Sequence, residues 1–292
     1  MFWGNVDADE TTYMKRAAQS SKKIAEEPAG YVNHKGAKMR LKNKVAIITG
    51  AASGIGEATA LLFGEEGAKV VVADLDAAGG DRTVAQIREK GGDAVFVQAD
   101  ISKESDAKRI TDEAVRAYGR VDILVNNAAA FVLRGLEATV DEWQRSLGTN
   151  VIGTALVSRF ASEQMKKNGG GSIVNVSSQS AFFAQPSFIT YSVTKAAILH
   201  MTRLMALDLG PANIRVNTVC PGTILTSSNL NYIAKEGITL EQFEEIEGGK
   251  TILKRVGRPR EVAYVIAFLA SEEASYITAA SLLVDGGRTV LS

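Results

Sequence analysis

A chain of 292 residues in which 33 Lys and Arg balance 33 Asp and Glu carries no net charge, which removes the electrostatic case for a nucleic-acid or anionic-membrane partner. With 46% hydrophobic and 23% charged residues it can bury a full core, so global disorder is excluded as well. One cysteine, Cys220, rules out an intrachain disulfide framework and suits a reducing compartment; two histidines, His34 and His200, leave little for a zinc site, so no metal is expected. No apolar run approaches the roughly 20 residues needed to span a bilayer, and the start lacks the basic-then-apolar order of a signal peptide. The expected location is cytoplasmic, with no membrane partner.

Residues 1–39 mix charges of both signs without sustained periodicity and carry Pro28, Gly30 and Gly36 as breakers. They predict an N-terminal extension, flexible or draped on the surface. Its acids Asp7, Asp9, Glu10, Glu26 and Glu27 argue against a mitochondrial transit peptide. From residue 40 a rhythm sets in. Short, nearly continuous Val, Ile and Leu runs predict strands at 44–50, 69–74, 94–100, 121–127, 172–178, 214–219 and 280–287. Their lack of polar alternation is that of a parallel sheet buried on both faces. Helical segments are predicted between them at 55–66, 79–90, 103–118, 139–168 and about 190–209, with another opened by Pro259. Punctuation agrees: Thr139 and Glu142 have capping-box spacing, Gly210-Pro211 is a stop, and Pro259 suits a first helical position. Strict alternation predicts an α/β fold, a doubly wound parallel sheet of about seven strands, with residues 40–292 as a single domain.

Between the first strand and the first helix lies Thr49-Gly50-Ala51-Ala52-Ser53-Gly54-Ile55-Gly56. Glycines there allow a tight turn and let the helix N-terminal amides approach a pyrophosphate, which the helix dipole favours. The second strand ends in Asp74, 24 residues after Gly50, near the distance at which dinucleotide folds place an acid on the adenosine ribose. A carboxylate there accepts from both ribose hydroxyls and repels a 2′-phosphate, and the next residue is Leu75 rather than Arg. NAD(H) is therefore expected over NADP(H).

Tyr191-Ser192-Val193-Thr194-Lys195 begins the helix after the fifth strand, and positions four apart share a helix face. Bringing a tyrosine pKa from about 10 into the working range takes roughly 3 to 4 kcal/mol of phenolate stabilisation. A fixed ammonium beside it, helped by a positive nicotinamide ring, is a plausible source. Spacing alone leaves open a surface Tyr and Lys one turn apart.

With these residues in order, the chain resembles a classical short-chain dehydrogenase/reductase across residues 40–292, a family with a Rossmann-fold sheet. The family's TGxxxGxG turn matches Thr49 to Gly56, its adenine-side acid Asp100, and its NNAG segment Asn126-Asn127-Ala128-Ala129. Its helix asparagine matches Asn150, and its YxxxK pair matches Tyr191 and Lys195. Its serine, 13 residues before that tyrosine, selects Ser178 over Ser177; its PG segment matches Pro221-Gly222, with Ile224 and Thr226 beyond. The predicted topology agrees independently. Gly50, Asp74, Asp100, Asn126, Ser178 and Pro221 each fall at or just beyond the carboxyl end of a predicted strand, where doubly wound folds bind ligands.

The resemblance implies a catalytic set of Asn150, Ser178, Tyr191 and Lys195. Tyr191 would take the alcohol proton as phenolate, Lys195 would lower its pKa and bind the nicotinamide ribose, and Ser178 would donate to the substrate oxygen. Asn150, a poor helix former within 139–168, would bind a relay water or mark a kink beside Gly148 and Gly153. Cofactor contacts are expected from Gly50, Ser53, Gly54, Ile55, Gly56, Asp74, Leu75, Asp100, Ile101, Asn127, Ala128, Tyr191, Lys195, Pro221, Gly222, Ile224 and Thr226. His200, half a helical turn out of phase with Tyr191, is excluded as a rival base, and Cys220 lacks a histidine partner.

Two departures from the family pattern stand out. Ala129 replaces the usual Gly, and after Ser178 comes Gln179 to Pro186 where relatives have a glycine-containing segment. With Phe131 and Phe188, this stretch offers aromatic surface and the polar groups of Ser180 and Gln185 to a small substrate, suiting a compact or cyclic secondary alcohol. Residues 223–251 form a polar insertion expected to act as a substrate lid. The expected function is NAD(H)-dependent interconversion of a secondary alcohol and a ketone, in a homodimer or homotetramer built through the helices at 139–168 and 190–209. A 3-oxoacyl thioester reductase, an NAD(H)-sensing binding protein and an epimerase or dehydratase that recycles its nicotinamide are the alternatives. Use of NADPH with a basic carrier surface, absence of turnover, and tightly held cofactor would mark them in turn. The lid acids Glu241, Glu244, Glu245 and Glu247 weigh slightly against an anionic carrier.

Overall fold

The computed structural model describes residues 39–291, so the extension expected at 1–39 lies outside the described residues except for Met39. Among the described residues seven strands alternate with nine helices: β1 Val45–Thr49, α1 Gly54–Glu65, β2 Lys69–Asp74, α2 Ala77–Glu89, β3 Asp93–Gln98, α3 Glu104–Tyr118, β4 Ile123–Asn126, α4 Val140–Leu147, α5 Thr154–Lys167, β5 Gly171–Val176, α6 Ile189–Leu209, β6 Ile214–Pro221, α7 Ser227–Glu236, α8 Leu240–Gly249, α9 Pro259–Ala270 and β7 Ser281–Val284. The strands form one sheet in the order β3-β2-β1-β4-β5-β6-β7, every pair parallel. The order reverses between β1 and β4. In doubly wound sheets the ligand crevice opens at that point, beyond the carboxyl ends of the strands.

Residue alternation explains why the strands read as unbroken apolar runs. Ala46 and Ile48 of β1 pack on one face with Phe63 of α1, Ile87 of α2 and Ile266 of α9. Ile47, between them, packs on the other face with Ile110 of α3 and Met165 of α5. Both faces are covered, so each successive residue must be apolar. The expected strand and helix positions agree within a few residues; the strands at 121–127 and 280–287 shorten most, the latter because Gly286 and Gly287 turn away with positive φ.

The predicted helix 139–168 is a structural correction. It starts on the expected Thr139–Glu142 capping box, but at Gly148–Gly153 it widens into a π-helical turn that separates α4 from α5. Gly153 ends that turn because a Cβ there would stand 2.8 Å from Ile101 Cγ1 and 2.9 Å from the Ile101 carbonyl, so the helix passes too close to the β3–α3 loop for any other residue. Asn150 sits in the widened turn, as such turns often hold functional side chains.

Residues 223–251 form α7 and α8 rather than an irregular loop. Leu225, Ile233, Leu240, Phe243 and Val256 make a small apolar cluster of their own beneath these helices. Glu244 pairs with Arg258 and Glu247 with Lys250, so part of the acidic face seen in the sequence is neutralised. Among the described residues no helix is long and apolar enough to cross a membrane.

Candidate active site

The glycine turn is built so that backbone replaces side chains. Gly50 and Gly54 have φ of 66° and 60°, a conformation that favours glycine. A Cβ on Gly56 would lie 2.0 Å from the Gly50 carbonyl oxygen and 2.5 Å from Asn127 Nδ2, so α1 starts pressed against the turn. Asn127 braces it by donating from Nδ2 to the carbonyls of Thr49 (3.0 Å) and Gly50 (2.9 Å). Thr49 Oγ1 accepts from the N–H groups of Asn127 and Ala128, both at 3.1 Å. The result is a cleft at the switch point between β1 and β4. Gly50, Ser53, Gly54, Ile55, Asp74, Leu75, Asp100, Ile101, Asn127, Ala128, Phe131 and Thr226 all line it.

These walls suit a dinucleotide on the structure's own terms. Side chains are missing where a pyrophosphate needs the α1 N-terminus, and Ser53, the N-cap, makes no cap hydrogen bond with its side chain. Asp74 is held by two backbone donors, the N–H groups of Ala52 (2.9 Å) and Asp76 (3.0 Å), which fix its carboxylate as a rigid acceptor. Leu75 stands exposed beside it. Asp100 accepts from the Ser102 N–H (3.1 Å) and hydroxyl (2.6 Å). Thr226 closes the turn from the opposite side, with Cγ2 3.3 Å from where a Gly54 Cβ would be. Ala129, the departure from the family's glycine, is absent from the positive-φ residues, so its methyl costs the backbone nothing.

Some expected cofactor residues stand behind the wall rather than in it. Gly56 lies under the turn, and Gly222 packs so that its Cβ would be 2.7 Å from Asp285 Cα. Pro221 ends β6 in the sheet. Ile224 is buried, bridges to Gly257 and turns its side chain to a second cleft lined also by Thr251, Asp285 and Gly286. The chain after β6 bends so that successive residues face opposite sides, which linear spacing does not reveal. Thr149, Ser227 and Ser228 line the dinucleotide cleft without any signal in the sequence. Arg82 was also missed: from α2 its Nη2 reaches the Ala52 carbonyl at 3.2 Å, so a cation does stand near Asp74 although Leu75 follows that acid in the chain.

Tyr191 and Lys195 occupy the first two turns of α6, both buried, and Ser178 follows β5. Ser178 Oγ accepts from the Ser180 N–H at 3.1 Å, and Ser178 is close enough to Tyr191 to draw the pKa of its hydroxyl down. Lys195 Nζ donates to the Val176 carbonyl at 2.9 Å and stands 5.6 Å from the centre of the Tyr191 ring. Burial pushes the Tyr191 hydroxyl up to about 12, against the opposing pull of Ser178, and pulls the Lys195 ammonium down to about 8. Desolvation penalises the charged form of each, so in the protein alone it outweighs the lowering expected from a lysine neighbour.

Asn150 is fully buried, and its side chain is committed. Oδ1 accepts from the Ala130 N–H, and Nδ2 donates to the Ala130 carbonyl and to Thr194 Oγ1. Both amide protons are spent, so the water-holding role expected for this side chain finds no free donor. Ser180 donates to Gln185 Oε1 at 2.8 Å, tying two expected substrate contacts to each other. Phe131 and Phe188 both meet the Tyr191 ring. His200 is exposed on α6; Cys220 is fully buried, and burial pushes its thiol up to about 12, which leaves it inert.

The family model described as enoyl-(acyl carrier protein) reductase matches residues 50–289. Glucose 1-dehydrogenase 2 of Bacillus subtilis is 40% identical over 257 residues, covering 86% of this chain and 96% of that protein. A solved 7α-hydroxysteroid dehydrogenase, in complex with NADH and 7-oxo glycochenodeoxycholic acid, is 37% identical with a TM-score of 0.80, covering 86% of this chain and 96% of that one. A short-chain dehydrogenase/reductase structure from Burkholderia xenovorans is 33% identical with a TM-score of 0.82, covering 86% and 98%. Matches of this extent, together with the ordered site above, show that this chain belongs to the short-chain dehydrogenase/reductase family.

Proposed function

We propose that Tyr191 is the acid–base group of this enzyme, with Lys195 and Ser178 as its working partners and Asn150 as a positioning residue. The chain is an NAD(H)-dependent oxidoreductase that interconverts a secondary alcohol and a ketone, as its relatives' activities and the NADH-bound neighbour support. The observation that carries the residue assignment is that Ser178, Tyr191 and Lys195 lie buried together behind the glycine-floored cleft, joined to it through Phe131, which lines the cleft and stacks on Tyr191. The nicotinamide, when bound, supplies the hydride acceptor or donor. Ser178 orients the substrate oxygen and stabilises charge on it, and Tyr191 Oη gives or takes the proton on that oxygen. Lys195, fixed by Val176, places a positive charge beside the ring, favouring the phenolate that burial opposes.

Asp74 is assigned to the adenosine ribose. Asp74→Ala weakens NADH binding by about tenfold or more, the effect of losing hydrogen bonds to a charged acceptor. It weakens NADPH binding less or improves it, because the repulsion of a 2′-phosphate is gone while Arg82 stays near Ala52. Fluorescence titration with both nucleotides measures this; unchanged NADH affinity in the variant would sink the assignment.

Oxidation needs Tyr191 deprotonated, and burial favours its neutral form. Alcohol oxidation therefore rises as pH increases, through an apparent pKa belonging to the Tyr191–Lys195 pair, and ketone reduction falls over the same range. Initial rates in both directions test this; parallel profiles would count against Tyr191.

The helices α7 and α8 are proposed as the lid, and the outer faces of α4–α6, which leave Val140, Ile152, Val193, Leu204 and Leu207 exposed, as the contact that builds a homodimer or homotetramer. Light scattering of wild type and Leu207→Asp checks the assembly, with a smaller species expected for the variant and a monomeric wild type excluding it. We assign the chain to the cytoplasm on its single buried thiol.

A further inference from the structure

Phe131 follows Ala130 in the irregular segment after β4, and Asn150 clamps the Ala130 peptide from both sides. It accepts from the Ala130 N–H at 2.7 Å and donates to the Ala130 carbonyl at 3.1 Å. The remaining amide proton goes to Thr194 Oγ1 at 2.9 Å, and that hydroxyl donates to the Tyr191 carbonyl at 2.7 Å. One buried side chain thus ties the segment bearing Phe131 to the helix bearing Tyr191. Asn150 reaches both from the π-helical turn.

The outcome is an aromatic stack. The Phe131 and Tyr191 ring centres are 5.3 Å apart with planes 18° from parallel, and Phe188 meets Tyr191 edge-on at 6.3 Å. Exposure divides the stacked pair sharply: Phe131 is 61% exposed and Tyr191 7%. A ring so open to water gains little from burial, so the stack and the clamp on Ala130 are what hold it there. Phe131 also forms part of the cleft wall, so one ring borders the cleft and covers the Tyr191 ring.

We propose that Phe131 is the specificity-determining residue of this site: its ring, set by the Asn150 clamp, roofs the Tyr191 ring, and a substrate reaches Tyr191 by taking over that ring contact. A compact cyclic secondary alcohol does so with few internal rotations to freeze, whereas a linear alcohol of the same carbon number must order its chain. The proposal rests on Tyr191 being the acid–base group.

Two measurements on the full chain with NAD⁺ test it without requiring turnover. Nitration by tetranitromethane, read by mass spectrometry on the Tyr191 peptide against the fully exposed Tyr276, reports the roof. Phe131→Ala is expected to raise relative nitration of Tyr191 by about tenfold, the loss of one aromatic pair, and Asn150→Ala to raise it with the Phe131 ring still present. In Phe131→Trp, indole emission corrected for the native tryptophans reports ligands at the roof. Cyclohexanol is expected to give a saturable change at about a tenfold lower concentration than hexan-2-ol. Unchanged nitration in both variants, equal affinity for the two alcohols, or no saturable change with either overturns the proposal. Turnover of Tyr191→Phe judges the acid–base assignment separately, so the two ideas fail by different results.

Discussion

Tyr191→Phe is expected to lower kcat for the alcohol–ketone reaction by about 10²- to 10⁴-fold, the contribution of a positioned acid–base group. The substitution removes one oxygen and keeps the ring, so the stack with Phe131 and the edge contact with Phe188 remain. The fold should survive it. The lost hydroxyl anchors no strand or helix, and Ser178 keeps its bond from the Ser180 N–H. NADH affinity is expected to stay within about twofold, since the turn and Asp74 supply most of the cofactor grip. Initial rates and nucleotide titration on the same preparation separate the two quantities. Full turnover in Tyr191→Phe would remove the acid–base assignment outright, whereas a matching loss of NADH affinity would make Tyr191 a binding residue.

Gly56→Ala is expected to weaken NADH binding by at least tenfold and to lower stability by about 1–3 kcal/mol. The added methyl would meet the Gly50 carbonyl oxygen at 2.0 Å and the Asn127 amide at 2.5 Å, distances no side chain tolerates. Backbone has to move. The atoms that give way are those of the phosphate turn and of its brace, because Asn127 Nδ2 donates to that same Gly50 carbonyl. A thermal melt and a nucleotide titration read the two effects, and wild-type NADH affinity in Gly56→Ala would show that the turn does not hold the cofactor.

Much of the site was legible in the chain because it rests on local rules. The glycine spacing announces the turn, the acid at the end of β2 lies at a fixed distance from it, and Tyr191 and Lys195 share a face through helical periodicity alone. Asn150 shows where legibility stops. The sequence singled out Asn150 as a poor helix former, but its three hydrogen bonds run to Ala130 and Thr194, 20 residues before it and 44 after, and spacing gives no sign of them. The direction of the Ile224 side chain was hidden for a related reason: a chain leaving a strand edge turns residue by residue, and spacing carries no record of which way. Arg82 was invisible because it comes from the helix after Asp74 and folds back on Ala52.

By itself, then, the amino-acid order determined the α/β alternation, the parallel sheet and the glycine turn, because strand burial, helical period and turn chemistry act over a few residues, while the candidate catalytic groups came from the family resemblance. Only the tertiary structure decided how those groups behave. The close packing of Gly153 of the widened turn against Ile101, the high Tyr191 and low Lys195 pKa values from burial, and the Phe131 roof from a clamp between distant segments all arise there. Each depends on desolvation or on contacts between residues far apart in sequence, and these exist only once the sheet and its helices have closed around them.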